Sequence, residues 1–321
     1  MLVMQGRRSI WRCPDSSIIY ITCQISLLAL CPPDPTPVKY CSTWQRLKQR
    51  VCLAVLPDAV QSFGRILSAI EQMDGAIISK VEALGLTSDT AAAAPECLAR
   101  VLPDRGSILA VEVLTDSRQG GWQGWAGVVK DLKADYGEGI YAPGSVEELS
   151  EVGPFLFQPH QSFTGGSDES EPCSLCMVKP HVMRERQLGN LVSGILDEGF
   201  RIGAMKLLHL STATAEELLG VYKEVVDGYT SMLEECTVAP VLALQVLPGV
   251  STADPERLID DFRAYCGPSD PQVAKAIRPD TIRAKFGQGL HKNAVHCTDL
   301  HEDGALECKY IFCIVPRALM A

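Results

Sequence analysis

Val51-Cys52-Leu53-Ala54-Val55-Leu56-Pro57-Asp58-Ala59-Val60 returns, in altered wording, as Leu175-Cys176-Met177-Val178-Lys179-Pro180-His181-Val182. Two further stretches keep the same order. Gly106 to Leu114 parallels Ala239 to Leu247, and Asp131-Leu132-Lys133-Ala134-Asp135-Tyr136-Gly137 parallels Thr281-Ile282-Arg283-Ala284-Lys285-Phe286-Gly287. Matches at three anchors in one order make the chain an internal duplication, so one fold is expected twice.

The second copy shows what that fold is. Leu175 to Lys179 is a short apolar strand, and Leu188, Leu191, Val192, Ile195 and Leu196 form the stripe of a core-facing helix that Gly199 can end. Ile202 to Leu210 reads as a strand, and Thr214-x-x-Glu217 as a capping box opening a helix through Tyr222 and Val225. Val241 to Leu247 is a strand. Asp254-Pro255-Glu256 starts a helix that runs through Leu258, Ile259 and Phe262 to a stop at Gly267-Pro268, and Leu306 to Val315 closes with a helix end and a strand. Strand, helix, strand, strand, helix, strand is the split βαβ pattern of ferredoxin-like folds. The expected class is therefore α+β: two tandem antiparallel four-stranded sheets, each with helices packed on it.

With 321 residues, 46% of them hydrophobic and 21% charged, the chain can bury two cores of ordinary size. Its net charge of −10 argues against nucleic acid or an anionic membrane as the main partner, while leaving room for a nucleotide site built on a few local cations. Thirteen scattered cysteines predict reduced thiols in a cytosolic compartment. The spacing of Cys173 and Cys176 sends them to opposite faces of a strand, against a shared metal.

Residues 1–48 do not read as a domain. Arg7, Arg8 and Arg12 followed by the apolar run Ile18 to Cys31 imitate a signal peptide, but the run falls short of the ~20 residues a span needs, and nothing downstream looks secreted. The expected organisation is an irregular segment at 1–48, a first domain at 49–158, a flexible Gly/Ser/Asp-rich linker at 159–172, a second domain at 173–316 and a tail at 317–321.

One stretch carries candidate chemistry. Gln288-Gly289-Leu290-His291-Lys292-Asn293-Ala294-Val295-His296-Cys297-Thr298-Asp299 puts a histidine behind an amide and ahead of a hydroxyl and a carboxylate, with a helix start at Thr298 or Asp299. Taken singly, a histidine is more often structural, Arg263 more often a solvated helix face, and Tyr222 at helical spacing more often core.

The combination Asn293-x-x-His296-x-Thr298-Asp299 resembles the active-site signature of nucleoside diphosphate kinases. Lys179-Pro180, Tyr222, Arg263, Gly267-Pro268, Thr281-Ile282-Arg283 and Glu307 follow that family's order. The wording, with Cys297 where the family has glycine, looks most like the tandem-domain, cilium-associated branch, and the resemblance covers roughly residues 49–316.

The resemblance implies a phosphohistidine formed at His296 from ATP and passed to nucleoside diphosphates. It gives Glu307 the task of holding the ring, expected across about three helical turns, and Thr298 that of steadying Glu307. It gives Lys179, Arg263, Ser269, Arg283 and Tyr222 contacts to phosphate, and Asn293 with Lys179 contacts to the sugar. Tyr229 and Leu290 would sandwich the base. Mg²⁺ would arrive on the nucleotide's phosphates. His181, His209, His291 and His301 keep a structural reading.

Cys297 beside the nucleophile is expected to tilt the ring and lower activity, and His181-Val182 stands where Asp-Gly is common. The first copy has Leu56 for the lysine, Lys133 for the arginine and no histidine in Tyr141-Ala142-Pro143-Gly144-Ser145, so it is expected to be inactive and to pair with the second. A different class stays open: a structural protein of the ciliary axoneme that binds microtubules or a tubulin-nucleating complex. Cytoplasm and axoneme are the expected locations.

Overall fold

The computed structural model describes residues 48–103, 106–116, 121–157, 171–250 and 254–318. The expectations for residues 1–47, for most of the linker and for the last three residues fall outside these. Lys48, assigned above to the irregular segment, already begins the first strand.

The chain runs β1 (Lys48–Val55), α1 (Phe63–Gln72), β2 (Ile77–Leu86), α2 (Ser88–Ala92), α3 (Glu96–Ala99), β3 (Gly106–Asp116), α4 (Gly121–Tyr136), β4 (Ile140–Tyr141) and α5 (Val146–Phe157). It continues with β5 (Ser174–Val178), α6 (Pro180–Arg184), α7 (Leu188–Asp197), β6 (Arg201–Leu208), α8 (Thr212–Leu219), α9 (Tyr229–Thr237), β7 (Val241–Leu247), α10 (Leu258–Cys266), α11 (Pro271–Ile277), α12 (Ile282–Phe286), β8 (Val295–Cys297), α13 (Gly304–Lys309) and α14 (Val315–Ala318).

The strands form a single eight-stranded sheet in the order β4-β1-β3-β2-β6-β7-β5-β8, all pairs antiparallel. This corrects the expectation of two separate four-stranded sheets. Each half has the same strand order, and each would end on an exposed edge, β2 or β6, with unpaired backbone groups. Those edges meet at Glu82 opposite Lys206, whose side chains pair at 2.7 Å.

Behind the join, α1 lies directly on α7. A Cβ added at Gly64 would fall 2.2 Å from the backbone nitrogen of Ser193, and one at Gly189 would fall 2.2 Å from that of Ser68. Only glycine permits so close an approach, and the two contacts mirror each other across the seam. Glu71 of α1 closes the junction by accepting from the backbone nitrogens of Leu188 and Gly189, two otherwise unpaired donors in the first turn of α7.

Strand alternation sorts the apolar residues into three cores. Val51, Leu53 and Val55 join Phe63, Ile66 and Ile70 of α1, Leu191, Val192 and Ile195 of α7, and Cys176 and Val178 of β5 in one core that crosses the seam. On the opposite face each half keeps its own core. The second half has one with Cys173, Leu175 and Met177, and the first half one with Cys52, Ala54 and Leu56. Cys173 and Cys176 do lie on opposite faces, and the cysteines of the described residues are free thiols.

Three local readings are corrected. Ser211, not Thr214, caps α8: its side chain accepts from the Thr214 backbone nitrogen at 3.1 Å, and the helix stops at Leu219 before a 3₁₀ turn at Gly220–Tyr222. Glu217 instead accepts from the Tyr310 hydroxyl at 2.6 Å. Leu306 to Val315 contains no strand, being helical throughout α13, a π-helical turn at Tyr310–Ile314 and the start of α14. The last strand is the three-residue β8, paired with β5.

Candidate active site

His296 occupies the middle of β8, opposite Met177 of β5, and is 7% exposed. Its Nε2 lies 3.4 Å from Glu307 Oε1, close enough for an ion pair but without hydrogen-bond alignment. Glu307 is fixed in turn by the Thr298 hydroxyl, which donates to Oε2 at 2.6 Å and itself accepts from the Leu175 backbone nitrogen at 2.8 Å. The relay thus reaches from the sheet to the ring.

Glu307 reaches His296 by a route other than the expected helical turns. The ring sits on a strand, residues 298–303 form a loop and turns, and α13 brings the carboxylate back. No helix starts at Thr298 or Asp299.

In front of the ring is a cleft of about 510 Å³ lined by Lys179, Tyr222, Arg263, Ser269, Arg283, Leu290, Asn293, His296, Cys297 and Asp299. Lys179 follows β5 and is 3% exposed, with its Nζ donating to the His291 carbonyl at 2.8 Å. Burial lowers its pKa from the ordinary lysine value. Arg283, on α12, donates to the carbonyls of Gly267 at 2.7 Å and Val295 at 3.2 Å. Burial alone would lower its pKa, but Cys297, Cys266 and Asp299 together raise it.

Asn293 donates to the Ser269 carbonyl at 3.1 Å. Its Oδ1 and the Nε of Arg283 are buried without a partner. Orphaned polar atoms at the wall of a cleft are what a polar ligand would satisfy.

Tyr222 meets the His296 ring edge-on, centroids 6.1 Å apart, and its hydroxyl donates to Asp299 Oδ2. Burial and then this carboxylate push its pKa up. Asp299 also takes Arg263, whose Nε lies 3.2 Å from Oδ1. Nothing in the spacing of the sequence says that residues 222 and 263 converge on Asp299.

Two expectations fail on geometry. Tyr229 does not line the cleft; it begins α9 and packs against the core on that face, while Val225, Val226 and Met232 stand on the cleft wall. Cys297 does not crowd the imidazole. Neighbours on a strand point to opposite faces, so its sulfur turns into the cross-seam core and lies 3.6 Å from Arg283 Nη2. Hydrogen bonding from Cys266 and the charge of Arg283 lower its pKa against the opposing effect of burial. His181, read as structural, is buried and pairs through Nδ1 with Glu235 at 3.0 Å.

The first half carries the same scaffold with different residues at the corresponding positions. Leu56 follows β1 as Lys179 follows β5, and their backbone nitrogens donate alike to Gly139 and Ala294 just before β4 and β8. Tyr141 then falls at the register position of His296: Ala54 opposite Tyr141 corresponds to Met177 opposite His296. Leu56 belongs to the same core as Leu98, Phe155 and Leu156, and Tyr141 packs against that core.

A family model described as "Nucleoside diphosphate kinase" matches residues 172–314, the half that bears the cleft. Nucleoside diphosphate kinase homolog 7 of Rattus norvegicus is 32% identical over 301 residues, covering 84% of this chain and 72% of that protein. A nucleoside diphosphate kinase of Aquifex aeolicus is 33% identical over 139 residues, 43% of this chain and 92% of its own length. The crystal structure of an Aquifex aeolicus nucleoside diphosphate kinase is 29% identical, covers 44% of this chain and 96% of its own, and aligns with a TM-score of 0.40.

Proposed function

Because the chain belongs to the nucleoside diphosphate kinase family, we propose that it transfers a phosphoryl group from ATP to nucleoside diphosphates through a phosphohistidine at His296, with residues 48–157 taking no part in the chemistry. Family membership supports nucleoside diphosphate kinase-type transfer and nucleotide substrates in general. The observation that carries the finer reading is the relay from Thr298 through Glu307 to His296 Nε2, set behind a cleft lined by Lys179, Arg263 and Arg283.

With Nε2 facing Glu307, the other ring nitrogen serves as nucleophile. Its lone pair attacks the γ-phosphorus in line, the bond to the β–γ bridging oxygen breaks, and ADP leaves. A terminal oxygen of the acceptor diphosphate then attacks the same phosphorus, the nitrogen–phosphorus bond breaks, and the neutral ring is restored. Glu307 stabilises the positive charge that the phosphorylated ring carries in between.

Phosphoryl transfer asks the protein mainly for position and positive charge. Lys179, Arg263, Arg283, Tyr222 and Ser269 are the groups available to the phosphates, and the unpaired Asn293 Oδ1 suits a sugar hydroxyl. Leu290, with Val226 and Met232 in place of Tyr229, offers the base apolar surface that does not distinguish one ring from another. Mg²⁺ enters as part of the nucleotide substrate. The cleft suits that arrangement, since its lining is rich in cations and includes a single carboxylate, Asp299, too few for a protein-built cage.

The test is to incubate the protein with labelled ATP and Mg²⁺, remove nucleotide and measure acid-labile, base-stable phosphate on the chain. The parent should carry it. Equal label on His296→Ala refutes the nucleophile.

The loss of the site residues from the first half, with Leu56 for the lysine, Lys133 for the arginine and no histidine in residues 141–145, favours a second reading: a structural role in which that half is a docking module for microtubules or a tubulin-nucleating complex, with the ciliary axoneme and cytoplasm as locations. Failure of the full chain to co-sediment with microtubules refutes it.

A further inference from the structure

We propose that Asp299 is a built-in counter-anion which holds the phosphate donors Tyr222 and Arg263 together and has to yield them to a nucleotide's phosphates, thereby limiting nucleotide affinity. The inference rests on the phosphate roles given to those two residues above and deepens that reading.

The two donors come from distant elements, Tyr222 from the turn after α8 and Arg263 from α10, yet each meets a different oxygen of one carboxylate. That carboxylate lines the cleft three residues beyond His296, and its side chain is 41% exposed. A carboxylate bridging two phosphate ligands stands where a phosphate would stand, carrying one negative charge and two acceptor oxygens.

Magnitudes favour displacement over a permanent brace. The Arg263 side chain is 46% exposed, and half-exposed pairs contribute little to stability. A nucleotide's phosphates bring more charge and more acceptors to the same donors, and charge-assisted bonds to them are stronger. Once displaced, Asp299 remains near those phosphates as a like charge. At ordinary salt, removing a unit charge across one such partly screened distance changes affinity about 3–10-fold.

The experiment is calorimetric titration with ADP and Mg²⁺ of the parent, Asp299→Asn and Asp299→Glu, beside the phosphate-labelling assay on the parent. Asp299→Asn keeps the shape and removes the charge, and should bind ADP about 3–10-fold tighter. Asp299→Glu keeps the charge and should stay near the parent. A role confined to folding would not separate these two variants by charge.

Unchanged or weaker ADP binding by Asp299→Asn overturns the inference, and label on the parent then leaves the transfer reading standing. Tighter binding by Asp299→Asn with no label on the parent keeps the inference and ends the transfer reading. If no form binds ADP, the inference falls, and label on the parent decides the transfer reading.

Discussion

At the position just past the first strand of each half, Leu56 and Lys179 are both buried, at 6% and 3% exposure, on backbones held by the same kind of hydrogen bond. Leu56 shares an apolar core with Leu98, Phe155 and Leu156; Lys179 shares a cleft with Arg283, Asn293 and His296. The sheet tolerates either filling because the strands and the face crossing the seam bear the fold, while the opposite face is free to differ. A site of this kind is an addition to a scaffold that stands without it.

Exchanging residues between the halves tests that separation, and the largest effect should fall on the nucleophile. His296→Tyr, which installs the residue of the first half, should lower phosphoryl transfer by at least about 10³-fold. Tyr141→His should create no acid-labile phosphate on a His296→Ala background, since the ring would lack both relay and cations. Label appearing there would break the comparison.

The lysine exchange should be next. Lys179→Leu should cost about 10²–10³-fold in transfer, as when one preorganised charge-stabilising group is lost, while circular dichroism stays native. The reciprocal Leu56→Lys should destabilise the protein by about 3–5 kcal/mol in a denaturant titration, because it places an unpaired ammonium in an apolar core. Fully native stability would mean that the first half still holds a polar pocket.

The smallest effect should come from the seam, where the halves agree. Gly64→Ala must push α1 away from Ser193, at about 1–3 kcal/mol of stability by thermal or chemical unfolding. Gly189→Ala should cost a similar amount, since it meets Ser68 at the same distance. A large difference between the two would show that the pairing is less symmetric than its contacts.

What the sequence disclosed follows from range. The stripe Leu188 to Leu196, the strand Val241–Leu247 and the stops at Gly199 and Gly267 are local patterns, and they appear where expected, both glycines with positive φ. Features decided by distant contacts were not legible. The β2–β6 join rests on one paired position, and β8 has three residues, too few for alternation to register. The closing segment's apolar pattern served a helix as well as a strand. In the site, the relay and the cations were visible as motif positions, whereas the bridging role of Asp299 depends on three segments meeting in space.

The joined sheet finishes at either end in a very short strand, two residues in β4 and three in β8. The two longer edges, β2 and β6, face each other and meet at Glu82 and Lys206, so the borders left open at the ends of the sheet offer few backbone groups for another molecule to pair with. Edgewise fibre growth finds little purchase on borders so short, and the histidine lies on one of them.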